Sequence, residues 1–90
     1  MSEDVFAGLL EKLNHDKNWP RVYLFKFIVP NDNQKLAQAE ALFGSEAQVK
    51  INQSRTGKYL SISATELMIS AEEIIERYKK AGEIEGLISL

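Results

Sequence analysis

The chain has 90 residues, of which 44% are hydrophobic and 27% charged, and its formal net charge is −2 at pH 7. This length suits one domain with one core, and the composition excludes a globally disordered chain. The absence of cysteine excludes disulfides, thiolate metal sites and thiol nucleophiles, and the slightly acidic balance gives no overall field that would hold a polyanion.

The first predicted element is an amphipathic helix. Ser2 is a suitable N-cap, and apolar residues recur at helical spacing at Val5, Phe6, Leu9, Leu10 and Leu13. The helix is expected to end in the polar stretch 14–18, before Trp19-Pro20. The acidic start does not resemble a secretory signal, and no apolar run approaches the roughly 20 residues that span a bilayer. We therefore expect a cytoplasmic protein without a membrane span.

A central strand and a second helix follow. Residues 21–29 are rich in aromatic and β-branched side chains, which is typical of a central strand. The turn 30–33 supplies a helix cap, and the next apolar stripe predicts a helix that ends at Gly44. This stripe comprises Leu36, Ala39, Leu42 and Phe43.

The second half of the chain predicts a hairpin, a helix and a last strand. Residues 47–54 and 59–67 alternate in polarity, and Gly57 between them suits the positive φ of a short turn. Ser70 begins a third helix through a capping box with Glu73, and Gly82 ends it. The apolar stripe of this helix comprises Ala71, Ile74, Ile75, Tyr78 and Ala81. The last strand is expected over Ile84–Leu90, with Gly86 as a bulge or an edge irregularity.

This order of elements predicts an α+β ferredoxin-like βαββαβ sandwich with an extra N-terminal helix. Right-handed crossovers would place two helices on one face of a four-stranded antiparallel sheet, with the first and third strands adjacent at its centre. Residues 1–18 would form the N-terminal helix and loop, and residues 19–90 the ferredoxin-like domain.

The other face of this sheet is expected to be mixed in polarity. Lys26 is expected to face outward, because burying an unpaired ammonium is costly. Val22, Leu24 and Ile28 lie on the same side of the strand as Lys26 and are therefore also expected to face outward. The outward residues of the hairpin are Lys50, Asn52, Tyr59, Ser61, Ser63 and Thr65. We expect the N-terminal helix or a second copy of the protein to cover part of this face, since so much apolar surface is rarely left in water.

One cluster of basic and hydroxyl side chains is the candidate binding site for a ligand or partner. It comprises Lys26, Ser54, Arg55, Thr56, Lys58, Tyr59 and Ser61. Positive charge and hydroxyl donors in one region suit an anionic small molecule or an acidic partner surface. The alternative is an ordinary polar hairpin and sheet face.

No catalytic or metal site is predicted. His15 has no second metal ligand, and Gly57-Lys58 lacks the strand-to-helix setting of a phosphate-binding loop. The charged residues of the third helix are expected to form a solvated face, not an acid/base pair. They are Glu72, Glu73, Glu76, Arg77, Lys79 and Lys80. An RRM is disfavoured because residues 56–63 keep little of its signature beyond the glycine and only Tyr59 offers an outward ring.

Several short motifs match the pattern of a known family. They are Trp19-Pro20, Phe25-Lys26, Tyr78, Leu90 and, as the most specific, the Ser-x-x-Gly-x-Tyr-x-Ser run from Ser54 to Ser61. On these residues the chain resembles the small bacterial YbeD-like proteins, a family of unknown function, over about residues 19–90. The resemblance implies a ferredoxin-like domain similar in shape to ACT-type regulatory domains, which bind amino acids and dimerise.

Two features depart from that pattern. Typical members have a glycine where residues 27–30 read Phe-Ile-Val-Pro, which argues against a conventional ACT pocket. The leading helix is longer than the usual lead-in, which indicates a different partner surface. Acylphosphatases share the fold class, but their glycine-rich loop and catalytic arginine are absent from residues 30–34, so that enzyme is excluded.

Three functions stay open on the sequence. The first is a non-enzymatic regulatory or adaptor domain that needs no cofactor and associates with an unidentified protein or with itself. The second is an ACT-like sensor of a small anionic metabolite or amino acid, using Lys26, Arg55, Lys58, Tyr59 and Ser61. The third, a weak RNA binder, is disfavoured by the overall charge.

Overall fold

The computed structural model describes residues 2–15 and 18–90, with side chains from Phe6 onward. The elements are α1 (Ser2–His15), β1 (Arg21–Pro30), α2 (Asn33–Glu40), β2 (Gln48–Gln53), β3 (Tyr59–Met68), α3 (Ala71–Ala81) and β4 (Ile88–Ser89). The proposed contributions of the Ser2 and Val5 side chains, and the loop at Asp16 and Lys17, lie outside the described residues. None of the described helices is both long enough and apolar enough to cross a bilayer.

Local sequence signals explain most of these boundaries. Asp32 caps α2 by accepting a hydrogen bond from the Gln34 amide, and Ser70 caps α3 by accepting one from the Glu73 amide. The turn between β2 and β3 contains Gly57 at φ 75°, as the hairpin prediction requires.

Two elements are shorter than predicted. Helix α2 ends at Glu40 and not near Gly44, because residues 41–43 form turns, with the Phe43 amide bonded to the Glu40 carbonyl. The last strand is only Ile88–Ser89, because Ile84 is buried within a turn and Gly86 has φ 84°. The chain from Ile84 therefore first contributes to the core and only then reaches the sheet.

The sheet is four-stranded, antiparallel and ordered β2-β3-β1-β4, so β1 and β3 are the central pair. Phe25 and Phe27 of β1 are fully buried against Ile74 of α3, and Val29 packs with Ala39 of α2. Since Phe25, Phe27 and Val29 share one side of β1, both helices cover the same face of the sheet. The α+β class with an antiparallel sheet is confirmed, and the arrangement is compatible with a ferredoxin-like fold.

Helix α1 lies on the helical side of the sheet, which contradicts one expectation. Phe6, Leu9 and Leu10 pack against the core cluster that contains α3, and Leu13 is itself buried there. The rings of Phe6 and Tyr78 stack with their centroids 6.4 Å apart. Two covers were expected for the outward face, the N-terminal helix or a second copy of the protein, and the helix alternative is wrong for the described residues because its apolar stripe packs against α3.

Strand β2 is an edge strand whose six residues are all exposed. Val49 and Ile51 pair with Ala64 and Ile62, so they face the helical side as predicted, yet they keep 36% and 38% of their surface exposed. The helices therefore cover the centre of the sheet better than this edge.

Candidate functional site

The predicted facing of the central strands is confirmed. Burial alternates along β1 and β3, with Phe25 and Ile62 fully buried while Lys26 and Ser61 are exposed. We call the side of the sheet away from the helices the open face. Its strand residues are Val22, Leu24, Lys26, Ile28, Pro30, Gln48, Lys50, Asn52, Tyr59, Ser61, Ser63, Thr65, Leu67 and Ile88.

A row of three polar residues crosses the middle of the open face. Ser63 pairs with Lys26 on one side and with Lys50 on the other. Because neighbouring strands are about 4.8 Å apart, the two lysines stand about 10 Å apart across the serine. They line a shallow concavity of about 270 Å³ together with Leu24, Gln48, Ser63 and Thr65.

The open face is positively charged although the chain as a whole is acidic. Its strand residues include Lys26 and Lys50 and no aspartate or glutamate. Among the described residues, neither lysine lies within salt-bridge distance of a carboxylate. The positive charge of the row is therefore available to a bound anion or to acidic groups of a partner.

One end of the open face is apolar. Val22 and Leu67 form a cross-strand pair with 66% and 59% of their surface exposed, and Leu24 in the next row is 47% exposed. Leu67 was not among the residues predicted to face outward, although its alternation with buried Met68 would have identified it. Apolar and basic side chains thus share one continuous surface.

The hairpin tip is held by its own hydrogen bonds. The Ser54 hydroxyl accepts a hydrogen bond from the Tyr59 amide at 3.1 Å, so this predicted site residue is part of the turn. Asn31, which the sequence reading missed, donates its backbone amide to the Lys58 carbonyl at 2.9 Å and its side-chain amide to the Gly57 carbonyl at 2.7 Å. Arg55, Thr56 and Lys58 are exposed at this tip.

The structure does not gather all the predicted site residues at one point. Tyr59 and Ser61 lie on the open face, but Lys26 is opposite Ser63, four residues beyond Tyr59. At about 3.3 Å per residue, this separates Lys26 from the row of Tyr59 by about 13 Å along the strand. Lys26 therefore belongs with Lys50, while Arg55, Thr56 and Lys58 form a separate group at the tip.

The prediction that the charged residues of α3 form a solvated face is wrong for Arg77. Its Nη1 donates to Oε1 of Glu66 at 2.7 Å and its Nη2 donates to Oε2 at 3.3 Å. The guanidinium also lies over the rings of Phe25 and Phe43, at 5.4 Å and 5.6 Å from their centroids. Arg77 is thus largely buried on the inner side of α3, because Glu66 extends from β3 toward the helices and pairs with it.

A pair of tyrosines lies on the helical side of the sheet. The hydroxyls of Tyr23 and Tyr78 are 2.9 Å apart and hydrogen-bonded. Burial, together with the hydrogen bond to Tyr23, raises the pKa of Tyr78 above its usual value. Both residues were expected on the core side from their positions in the sequence, but their contact was not predicted.

Among the described side chains, at residues 6–15 and 18–90, no three histidine, aspartate or glutamate residues come together as a metal site. Comparisons of the chain with models of protein families, with curated proteins and with solved structures found no match. The resemblance to YbeD-like proteins therefore stays a prediction.

Proposed function

We propose that the chain is a non-enzymatic regulatory or adaptor domain that binds an acidic protein surface through its open face. The observation that carries this proposal is the row of Lys26, Ser63 and Lys50, on a face whose strand residues include no aspartate or glutamate. Basic side chains favour a partner with acidic groups, and the exposed Val22, Leu24 and Leu67 supply apolar area next to them.

Charge favours a different protein over a second copy as the occupant. Two copies joined face to face through this surface would bring Lys26 and Lys50 of each copy toward those of the other. Like charges brought together in an interface are unfavourable. A homodimer through the open face is therefore the alternative to a different acidic partner, and the two have to be distinguished by experiment.

The proposal includes the finer assignment of the fold. We infer a ferredoxin-like βαββαβ sandwich with an additional N-terminal helix, in a bacterial, cytoplasmic protein similar to the YbeD-like family. The order β2-β3-β1-β4 and the packing of α2 and α3 on one face support the fold assignment. The Ser-x-x-Gly-x-Tyr-x-Ser run at residues 54–61 supports the family assignment.

The experiment is affinity capture with charge-reversed variants. The tagged wild type is compared with the double variant Lys26→Glu and Lys50→Glu, and with a matched control, Lys79→Glu and Lys80→Glu, on the exposed end of α3. We expect a partner with an acidic surface that the wild type and the control retain, that the open-face variant loses and that salt releases. Circular dichroism checks that each variant is folded.

Two results would overturn the proposal. One is that the open-face variant retains the same proteins as the wild type. The other is that no protein binds while light scattering finds a dimer that Lys26→Glu with Lys50→Glu disrupts, which would assign the face to self-association.

The concavity on the open face favours a second function, a sensor of a small anionic metabolite or amino acid. Its volume of about 270 Å³, its two lysines and the hydroxyls of Ser63 and Thr65 suit a small carboxylate or phosphate. Such a ligand would raise the melting temperature by mass action. A thermal-shift series with glutamate, citrate and inorganic phosphate tests this, with Lys26→Gln expected to abolish the shift.

A further inference from the structure

A second concavity lies on the opposite side of the molecule from the open face. It has a volume of about 510 Å³ and is formed where α1 and α3 meet β1 and β4. Its lining comprises Phe6 and Leu9 of α1, Tyr23 of β1, Tyr78 of α3, and Gly82, Ser89 and Leu90. This volume lies within the range of small-molecule sites, and the lining side chains are uncharged and mainly apolar.

Two of the lining residues, Tyr23 and Tyr78, carry hydroxyls whose hydrogen-bonding capacity can be counted. They are bonded to each other at 2.9 Å, and within the described residues neither makes another hydrogen bond. One hydroxyl donates its hydrogen to the other, so the second keeps one hydrogen to donate. A ligand that offers an acceptor can use that hydrogen, and burial raises the pKa of Tyr78, which favours its neutral hydroxyl.

We propose that this cavity, the tyrosine cavity, binds an uncharged and mainly apolar small molecule that carries a carbonyl or similar hydrogen-bond acceptor. The rings of Phe6 and Tyr78, stacked 6.4 Å apart, offer apolar contact, and the hydroxyl pair orients the acceptor. The lining holds no cation that would compensate a buried negative charge, which selects neutral ligands over anions. This site is separate from the open face and does not depend on the partner proposed for it.

Gly82 allows the cavity to be narrowed without changing the backbone. Its φ is −64°, which any residue adopts, and an added Cβ would meet only the backbone oxygens of Lys79 at 3.4 Å and Tyr78 at 3.6 Å. A leucine at this position is therefore compatible with the fold, and its side chain would occupy part of the lining.

The experiment uses prodan, a neutral fluorophore that joins a naphthalene ring to a ketone, and measures its dissociation constant by fluorescence titration. We expect saturable binding to the wild type and at least a tenfold weaker affinity for Gly82→Leu. The double variant Tyr23→Phe with Tyr78→Phe is expected to bind about fivefold more weakly, as for loss of one hydrogen bond, with bluer emission because the ketone loses its donor. Leu67→Gln, which removes an exposed apolar group from the open face, is the control and should bind like the wild type.

A second measurement on the wild type guards against a misfolded variant. In an NMR titration with prodan, the amides of Gly82 and Ser89 should shift, and those of Ser63 and Thr65 should not. The proposal is overturned if prodan does not bind, or if Gly82→Leu is folded and binds prodan like the wild type. It is also overturned if prodan shifts the amides of Ser63 and Thr65 and Leu67→Gln weakens its binding.

Discussion

Arg77 and Glu66 form a two-bond ion pair between α3 and β3, with N–O distances of 2.7 Å and 3.3 Å. Both side chains are largely buried, at 13% and 14% exposure. Oε1 of Glu66 also accepts a hydrogen bond from the Gly44 amide at 3.2 Å, so the same carboxylate connects the helix, the sheet and the loop after α2. A single glutamate thus fixes three segments relative to each other.

We expect Glu66→Gln and Arg77→Met each to lower the free energy of unfolding by about 2 kcal/mol, because each leaves a largely buried charge without its partner. The double variant should lose clearly less than the sum of the two single losses. Urea denaturation measures these values, and Glu72→Gln on the exposed side of α3 is the matched control. Additive losses would show that the two side chains do not stabilise each other.

The same pair predicts a dependence of stability on acid. The hydrogen bond from Arg77 holds the pKa of Glu66 below its usual 4.5, although burial acts in the opposite direction. Since the folded pKa is the lower one, the stabilisation is complete above pH 4.5 and is lost as the pH falls through the folded value. The difference in unfolding free energy between the wild type and Glu66→Gln should therefore shrink on acidification, and a constant difference would contradict the pair's role.

Gly57 and Gly8 should respond in opposite directions to substitution by alanine. Gly57 has φ 75°, so Gly57→Ala is expected to cost about 1–2 kcal/mol of stability. Gly8 lies in α1, and an added Cβ there meets nothing within 4 Å, so Gly8→Ala should add about 1 kcal/mol through helix propensity. Thermal unfolding compares the two variants, and a neutral Gly57→Ala would contradict the turn geometry.

Tyr78 predicts a loss of stability in alkali. Its folded pKa is raised above the usual 10.0, so the unfolded chain releases this proton first as the pH rises above 10.0. The wild type should lose up to about 1.4 kcal/mol per pH unit there through this group, a loss that Tyr78→Phe should not show. Denaturation at several alkaline pH values measures the slopes, with Tyr59→Phe as the control at an exposed tyrosine. Identical slopes for the wild type and Tyr78→Phe would contradict the shift.

Local chemistry made much of the sheet predictable. The cost of burying Lys26 was enough to orient β1, and Gly57 between two alternating segments was enough to place the hairpin. Ser70 likewise marked the start of α3, because its hydroxyl accepts a hydrogen bond from the Glu73 amide in the first turn of the helix. These features each depend on neighbours within a few residues.

Features that depend on distant residues were missed. Arg77 has the same sequence context as the lysines that follow it, and only the approach of Glu66, 11 residues earlier, makes it a buried partner. The apolar stripe of α1 could pack on either face of the sheet, and only the tertiary structure shows that it packs against α3 on the helical side. Likewise, the separation of Lys26 from the hairpin tip follows from the register of β1 and β3, which the sequence did not specify.

The exposure of β2 at the edge of the sheet has a consequence for aggregation. Its sequence, Gln-Val-Lys-Ile-Asn-Gln, holds one charged residue, Lys50, and an edge strand without charge is a template for strand addition by other chains. Lys50→Gln is therefore expected to form fibrils or larger assemblies faster than the wild type, as followed by light scattering, whereas Lys26→Gln on a central strand should not. Besides the role proposed for it in recognition, Lys50 is thus expected to keep the protein from polymerising through its own sheet edge.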